Sequence, residues 1–284
     1  MKGGIVILQR TKGPLYTDIQ CDNSSATYSY RATADKNNSA LSASHDPNIE
    51  LHKKNGILLG FLLETLVKRA TDAVIEQKGQ TGLFPKTMKM CFSRPLHADS
   101  VLDLCLSMKY SDDDEHVEII PSLREQGSQN GNALDKSVLE YALLTNLPTE
   151  GVNGNPGLTY VLSEEDAYQF YRSVDDFDPF QFTPIMFPLA LTSKAIADAI
   201  LTGIVSLEIP GDQFIIYRKH VFDFYQGSAH SRLGKPVTFY FKEPKTRGPI
   251  IILPIEAADS EKEIMFKGEL TLAKVPKSAL MPLQ

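Results

Sequence analysis

The chain has 284 residues and a mass of 31.5 kDa, with 42% hydrophobic and 23% charged residues. That is the profile of a soluble globular protein with a sizeable core, long enough for one large domain or two ordinary ones. A formal net charge of −6 argues against general nucleic-acid binding, which draws its affinity from phosphate neutralisation.

In chain order, the opening MKGGIVILQR holds too short an apolar run for a secretory signal. A cytoplasmic protein is therefore expected, with the sequons at Asn23 and Asn37 unused. Residues 5–8 and 15–21 read as short strands around a turn at Gly13-Pro14. Residues 35–55 are polar, carry no period and hold His45 and His52; a long loop is expected, and such loops are more often functional than idle. Residues 56–77, GILLGFLLETLVKRATDAVIEQ, follow. Their apolar side chains cover most of a helical circumference, so the helix should be buried on nearly every side. Five charged residues argue against a membrane span, and Glu64 with Lys68 is read as an i,i+4 pair. Gly79 and Gly82 end the helix. Strands are expected over 86–93, 101–110, 115–125 and 137–144. The three cysteines, Cys21, Cys91 and Cys105, lack metal-ligand spacing; Cys91 and Cys105 are read as small core residues, and no metal or other cofactor is implied.

The Pro-, Gly- and Asn-rich stretch TNLPTEGVNGNPG reads as a linker. It divides the chain into 1–147, a connection at 148–158, and 159–284. Ser163 is the expected N-cap of a short helix, and 188–204 a second buried helix with Lys194 and Asp198 paired outside. Strands should follow over 213–225, 235–242, 250–256 and 264–275. Residues 171–178, YRSVDDFD, echo 30–37, YRATADKN, and each echo precedes an apolar helix and a strand-rich tract. An internal repeat is therefore expected.

A long helix followed by antiparallel strands, twice over, resembles the double hotdog, an α+β fold. The nearest family is that of the MaoC-like (R)-specific enoyl-CoA hydratases and 3-hydroxyacyl-thioester dehydratases, which carry D-x-N-P-x-H before the central helix. Here Asp35-Lys36-Asn37-Asn38-Ser39-Ala40 keeps the Asp and Asn but has Ala40 at the His position. Asp176-Phe177-Asp178-Pro179-Phe180-Gln181 keeps the Asp and Pro and ends in Gln181. Phe92-Ser93-Arg94-Pro95-Leu96, followed by Asp99, is similar to the family's R-P-x-x-x-G-D strand entry.

The resemblance implies an acyl-CoA or acyl-ACP thioester as partner and a role in fatty-acid metabolism as a hydratase or dehydratase of enoyl and 3-hydroxyacyl thioesters. The alternatives are a hotdog protein that binds such thioesters without turnover, and a hotdog thioesterase. Hydration needs an acid/base, an oriented water and donors for the developing enolate oxygen. Asp35 and Asn37 come from the motif, and His45 or His52 would replace the missing histidine. Only the first half has room for this: 23 positions separate Asn37 from Gly60, against 10 from Asp178 to Pro188. Gly56 and Gly60 would admit the thioester to the helix N-terminus, and Lys53, Lys54 and Arg94 would hold phosphates. Each has a plainer reading, since surface loops hold idle histidines and Asp35 can simply cap a turn. Glu64 has two: a salt bridge to Lys68, or a similarity to the bacterial hydroxyacyl-ACP dehydratases, whose central helix carries a catalytic Glu. A fused chain supplies both hotdogs, giving a monomeric pseudodimer or a homodimer.

Overall fold

The computed structural model describes residues 6–8, 19–21, 25–46, 52, 56–58, 60–80, 82–112, 115–129, 131–152, 157–161, 163–173, 186–230, 234–276 and 278. After two short strands, β1 (Val6–Leu8) and β2 (Ile19–Cys21), comes β3 (Ser25–Ala32). β3 turns Ala26, Tyr28, Tyr30 and Ala32 to the core, the period-two alternation of a strand with one buried face. It was not anticipated as a strand. The long loop expected over 35–55 is also corrected: its first part is helix α1 (Ala34–Ala43). Thr33 caps it, its hydroxyl accepting from the Lys36 N–H at 3.3 Å, and Ala40, Leu41 and Ala43 are buried.

The central helix α2 (Gly60–Gln77) begins four residues later than expected. Every side chain from Phe61 to Lys68 is buried. A helix buried all round must pair its polar groups internally, and here the expected Glu64–Lys68 pair is replaced by a different one. Lys68 donates to Asp72 at 2.6 Å, and the other Asp72 oxygen accepts from the Tyr141 hydroxyl at 2.9 Å. Glu64 points elsewhere.

Four strands complete the first half: β4 (Leu83–Cys91), β5 (Ser100–Tyr110), β6 (His116–Glu125) and β7 (Val138–Leu143). Leu104 and Leu106 face the core, so the alternation turns Cys105 outward to solvent. This corrects its reading as a core residue. The connecting segment then lies against the second half, with Pro148 and Glu150 carbonyls accepting from Gln226 and Ile264.

The second half runs β8 (Leu158–Val161), α3 (Glu164–Ser173), α4 (Met186–Ala190), α5 (Thr192–Leu201), β9 (Gln213–Phe224), β10 (Pro236–Phe241), β11 (Lys245–Arg247), β12 (Ile250–Ala258) and β13 (Ile264–Pro276). Ser163 does cap α3, accepting from Asp166 N–H. The single helix expected over 188–204 is two, separated at Leu191. The second ends at Leu201, because Gly203 takes a φ of +75°, a left-handed stop.

The residue echo is a coincidence of composition: Tyr30 lies in a strand and Tyr171 in a helix. Tyr30 instead donates its hydroxyl to the Ser173 carbonyl at 2.6 Å, where α1 and α3 pack together. Residues 176–181 lie outside the described residues. What repeats is the order of strands. One continuous antiparallel sheet runs β1-β2-β3-β5-β6-β7-β4-β9-β13-β12-β10-β8, with β11 alongside β12. The sequences β3-β5-β6-β7-β4 and β8-β10-β12-β13-β9 follow the same rule. They meet where β4 pairs β9, from Thr87↔Asp223 to Cys91↔Lys219.

Candidate active site

The site forms where α2 crosses the β4–β9 seam. On β9, His220, Phe222 and Phe224 face the core in alternation. Toward the start of the strand the register against β13 shifts: Lys219 faces Thr271 and Tyr217 faces Leu272, leaving Arg218 as an extra residue. Such a β-bulge re-aims the side chains around it, and here Tyr217 turns inward beside His220.

His220 Nδ1 is hydrogen-bonded to Glu64 Oε1, and both residues are 0% exposed. Glu64 comes from the first half's helix and His220 from the second half's strand. The imidazole is enclosed by rings: Phe61 stacks on it at 4.8 Å between centroids, and Tyr217 and Phe92 meet it edge-on at 4.8 and 5.5 Å. Glu64 Oε2 and His220 Nε2 have no hydrogen-bond partner among the described residues. An open polar atom on each member of a fully buried pair calls for an explanation, such as an ordered water or a catalytic role. Tyr217 shares its hydroxyl with Ser193 Oγ at 2.8 Å. Burial first, then the charge of Asp46, push the phenol far above its ordinary range; the Ser193 hydrogen bond opposes this and the charge of Glu64 adds a lesser push upward. It therefore stays a proton-bearing group at any working pH.

On the other side of Phe92 and Tyr217 lies a cavity of about 220 Å³, lined among others by His52, Ile57, Gly60, Leu63, Leu96 and Arg218. It opens at the N-terminal end of α2, where helix N–H groups and the dipole favour negative charge. His52 lies in its wall, with Nδ1 donating to the Ile57 carbonyl at 3.0 Å. That bond fixes the tautomer of the neutral ring and leaves Nε2 as the acceptor. Asn37 Nδ2 donates to the same carbonyl at 2.9 Å, so the motif asparagine and the loop histidine converge on Ile57.

The other expected residues are scattered. Gly60 lines the cavity, where an added Cβ would meet Phe92 at an ordinary 3.5 Å, so close approach does not require glycine. Gly56 takes a φ of +60° and its carbonyl accepts from Ala98 N–H. Arg94 lines the cavity but is held by Glu125 at 2.9 Å. Asp35 is exposed on α1. His45, half-exposed, meets Asp166 of α3 at 3.2 Å and is not among the cavity's lining residues. Lys53 and Lys54 lie outside the described residues. Sequence reasoning missed His220, Tyr217 and Arg218. A histidine in step with Phe222 and Phe224 was a usable signal; the bulge left none. Among the described residues no cluster of three or more His, Cys, Asp or Glu could hold a metal ion, and no helix is long and apolar enough to cross a membrane.

By sequence, no family model and no curated protein matches the chain. Solved structures do match by shape. A MaoC-like dehydratase from Phytophthora capsici is 11% identical, with a TM-score of 0.54 over 89% of this chain and 96% of that one. HtdX of Mycobacterium tuberculosis is 8% identical, with a TM-score of 0.51 over 86% and 98%. The fold is that of the MaoC-like hotdog proteins. An acyl-ACP thioesterase from Bacteroides thetaiotaomicron, 8% identical, matches with a TM-score of 0.53 over 88% and 98%, so the shape alone does not separate dehydratases from thioesterases.

Proposed function

We propose that the chain is a double-hotdog acyl-thioester hydratase/dehydratase, interconverting enoyl and 3-hydroxyacyl thioesters. The observation that carries this is the Glu64–His220 pair: two titratable groups from opposite halves, buried together, each with one open atom, a single layer of rings away from a cavity at the head of α2. The mirrored strand order supports two hotdog units, 1–147 and 159–284, fused through the sheet. Likeness of fold to MaoC-like dehydratases supports the class of chemistry, and the likeness to a thioesterase keeps the acyl thioester common to both.

In the hydration direction the acyl chain occupies the cavity and the thioester oxygen faces the N–H groups around Gly60. Rotation of Phe92 joins the cavity to the pair. Glu64 Oε2 orients water and takes its proton as the oxygen bonds to Cβ. The double-bond electrons move toward the thioester oxygen, stabilised by the helix donors. Cα then collects the Nε2 proton of His220, whose Nδ1–H stays on Glu64 Oε1, and the proton taken by Glu64 passes back to Nε2 through a water before the next turnover. Dehydration is the reverse. Asn37 and His52 hold the Ile57 wall, and Asp35 stays outside the reacting group.

A second reading, binding without turnover, draws on the same burial, since the pair is sealed from the cavity in this conformation. Both are tested by following absorbance of crotonyl- and hexenoyl-CoA with wild type, Glu64→Gln, His220→Asn and His52→Ala. Losses on the order of 10²–10⁴ in rate are expected for the first two variants, and a much smaller one for His52→Ala. A loss confined to His52→Ala moves the chemistry to the cavity wall. Wild type that binds enoyl-CoA without any turnover leaves the binding protein.

A further inference from the structure

The bulge in β9 does more than turn Tyr217 inward. It puts Arg218, the extra residue, on the cavity's rim, where its side chain is exposed. Its backbone is fixed from the segment just after β4: the Arg218 carbonyl accepts from the Phe92 N–H at 2.9 Å. The guanidinium has no ion-pair or hydrogen-bond partner among the described residues. Arg94, the other cavity arginine, differs on each count. It donates to Glu125 at 2.9 Å and contacts the Gly131 and Pro95 carbonyls at 3.4 Å, while the second Glu125 oxygen accepts from His97 N–H. An anion arriving at Arg94 would have to displace a carboxylate, whereas one arriving at Arg218 meets an uncommitted planar donor.

An exposed arginine on a strand is often only solvated. Here a specific irregularity carries it to the rim of a cavity whose interior is apolar at Ile57, Leu63 and Leu96. A pocket apolar at these positions, with Arg218 as a free cation at its mouth among the described residues, suits a ligand with an apolar tail and an anionic group some distance behind it. We infer that Arg218 anchors the phosphate of the phosphopantetheine arm, the group that acyl-CoA and acyl carrier protein share. This rests on the acyl-thioester reading above and adds the residue that recognises the carrier. Two parallel N–H donors to phosphate oxygens give both affinity and orientation.

The test is calorimetry of wild type, Arg218→Ala and Arg218→Lys with the hexanoyl thioesters of pantetheine, 4′-phosphopantetheine and CoA, and with hexanoyl carrier protein. Arg218→Ala should weaken the phosphorylated ligands by about tenfold to a hundredfold and leave hexanoyl-pantetheine unchanged. Arg218→Lys should restore part of the loss, since it keeps the charge but not the fork. A loss seen with the carrier protein but not with CoA assigns the anchor to the protein-borne arm, and the converse assigns it to CoA. Equal losses with and without the phosphate, or none with any ligand, overturn the anchor while leaving thioester binding intact. Wild type that binds none of the four removes the acyl-thioester reading and the anchor with it.

Discussion

Glu64 and His220 show what a buried polar pair costs and why a chain would keep it. Removing one member leaves the other buried without its hydrogen bond, at about 1–3 kcal/mol, whereas replacing both with apolar groups of similar shape is nearly neutral or stabilising. Glu64→Met and His220→Phe should each destabilise by that amount in urea titrations, and the double variant should be more stable than either single one. If the double variant loses the sum of the two, Glu64 and His220 act independently and are not an energetically coupled pair. Glu125 offers a pH test at the same scale. Burial pulls its carboxyl upward, but the Arg94 hydrogen bond, the His97 N–H and the Arg94 charge outweigh that and hold it below its ordinary value. A depressed folded-state value means the pair's contribution is fully present above the unfolded pKa of about 4.3 and is lost as pH falls through the folded one. The Glu125 carboxyl should thus titrate below about 4.3 by NMR and move upward in Arg94→Ala. At this scale Asn37 and His52 were legible as polar residues before a buried helix. Arg218 was not, because its position depends on a register shift between β9 and β13 that alternation in either strand alone does not reveal.

Among the elements, α2 was legible because its apolar residues encircle it, a pattern that only a surrounding sheet can bury. Most strands were legible from alternation, with ends displaced by a few residues. α1 was not: ADKNNSALSA is rich in Asn and Ser, and its helicity rests on the Thr33 cap and on burial of Ala40 and Leu41 against the rest of the fold. β3 was overlooked although Ala26, Tyr28, Tyr30 and Ala32 alternate, because tyrosines in a Ser-rich stretch look like surface. Close packing between strands sets a further demand at Gly268 of β13. A Cβ there would come within 2.5 Å of the Phe222 ring, which is fully buried and meets His220 edge-on at 5.9 Å. Gly268→Ala should therefore destabilise the protein by about 1–3 kcal/mol, the usual penalty of overpacking. Thermal unfolding measures it, and an unchanged melting temperature would mean that Phe222 has room to move that the fold does not display.

For the molecule as a whole, a buried helix followed by a run of strands could be read from the sequence, but not which strand edges are shared. Strand alternation gives the buried face of a strand and says nothing of its neighbour, so the β4–β9 seam had no signature. Its consequences are global. Separating the halves would strip the hydrogen-bond ladder from Thr87–Cys91, expose a five-residue edge open to aggregation, and part Glu64 from His220. It would also break the Tyr30–Ser173 hydrogen bond between β3 and α3. With so much of each core completed by the other, the halves are expected to unfold together. Calorimetry of the intact chain should give one transition, with calorimetric and van't Hoff enthalpies in agreement. Val221→Pro would remove the N–H of a residue paired to Lys89 on one side and Glu269 on the other. A proline inside a central strand is not tolerated, so it should lower the single transition for both halves rather than split it. Two resolved transitions in the wild type, each keeping its own tyrosine near-ultraviolet signal, would mean that the halves are separate domains and that the seam is a contact between them instead of part of a common core.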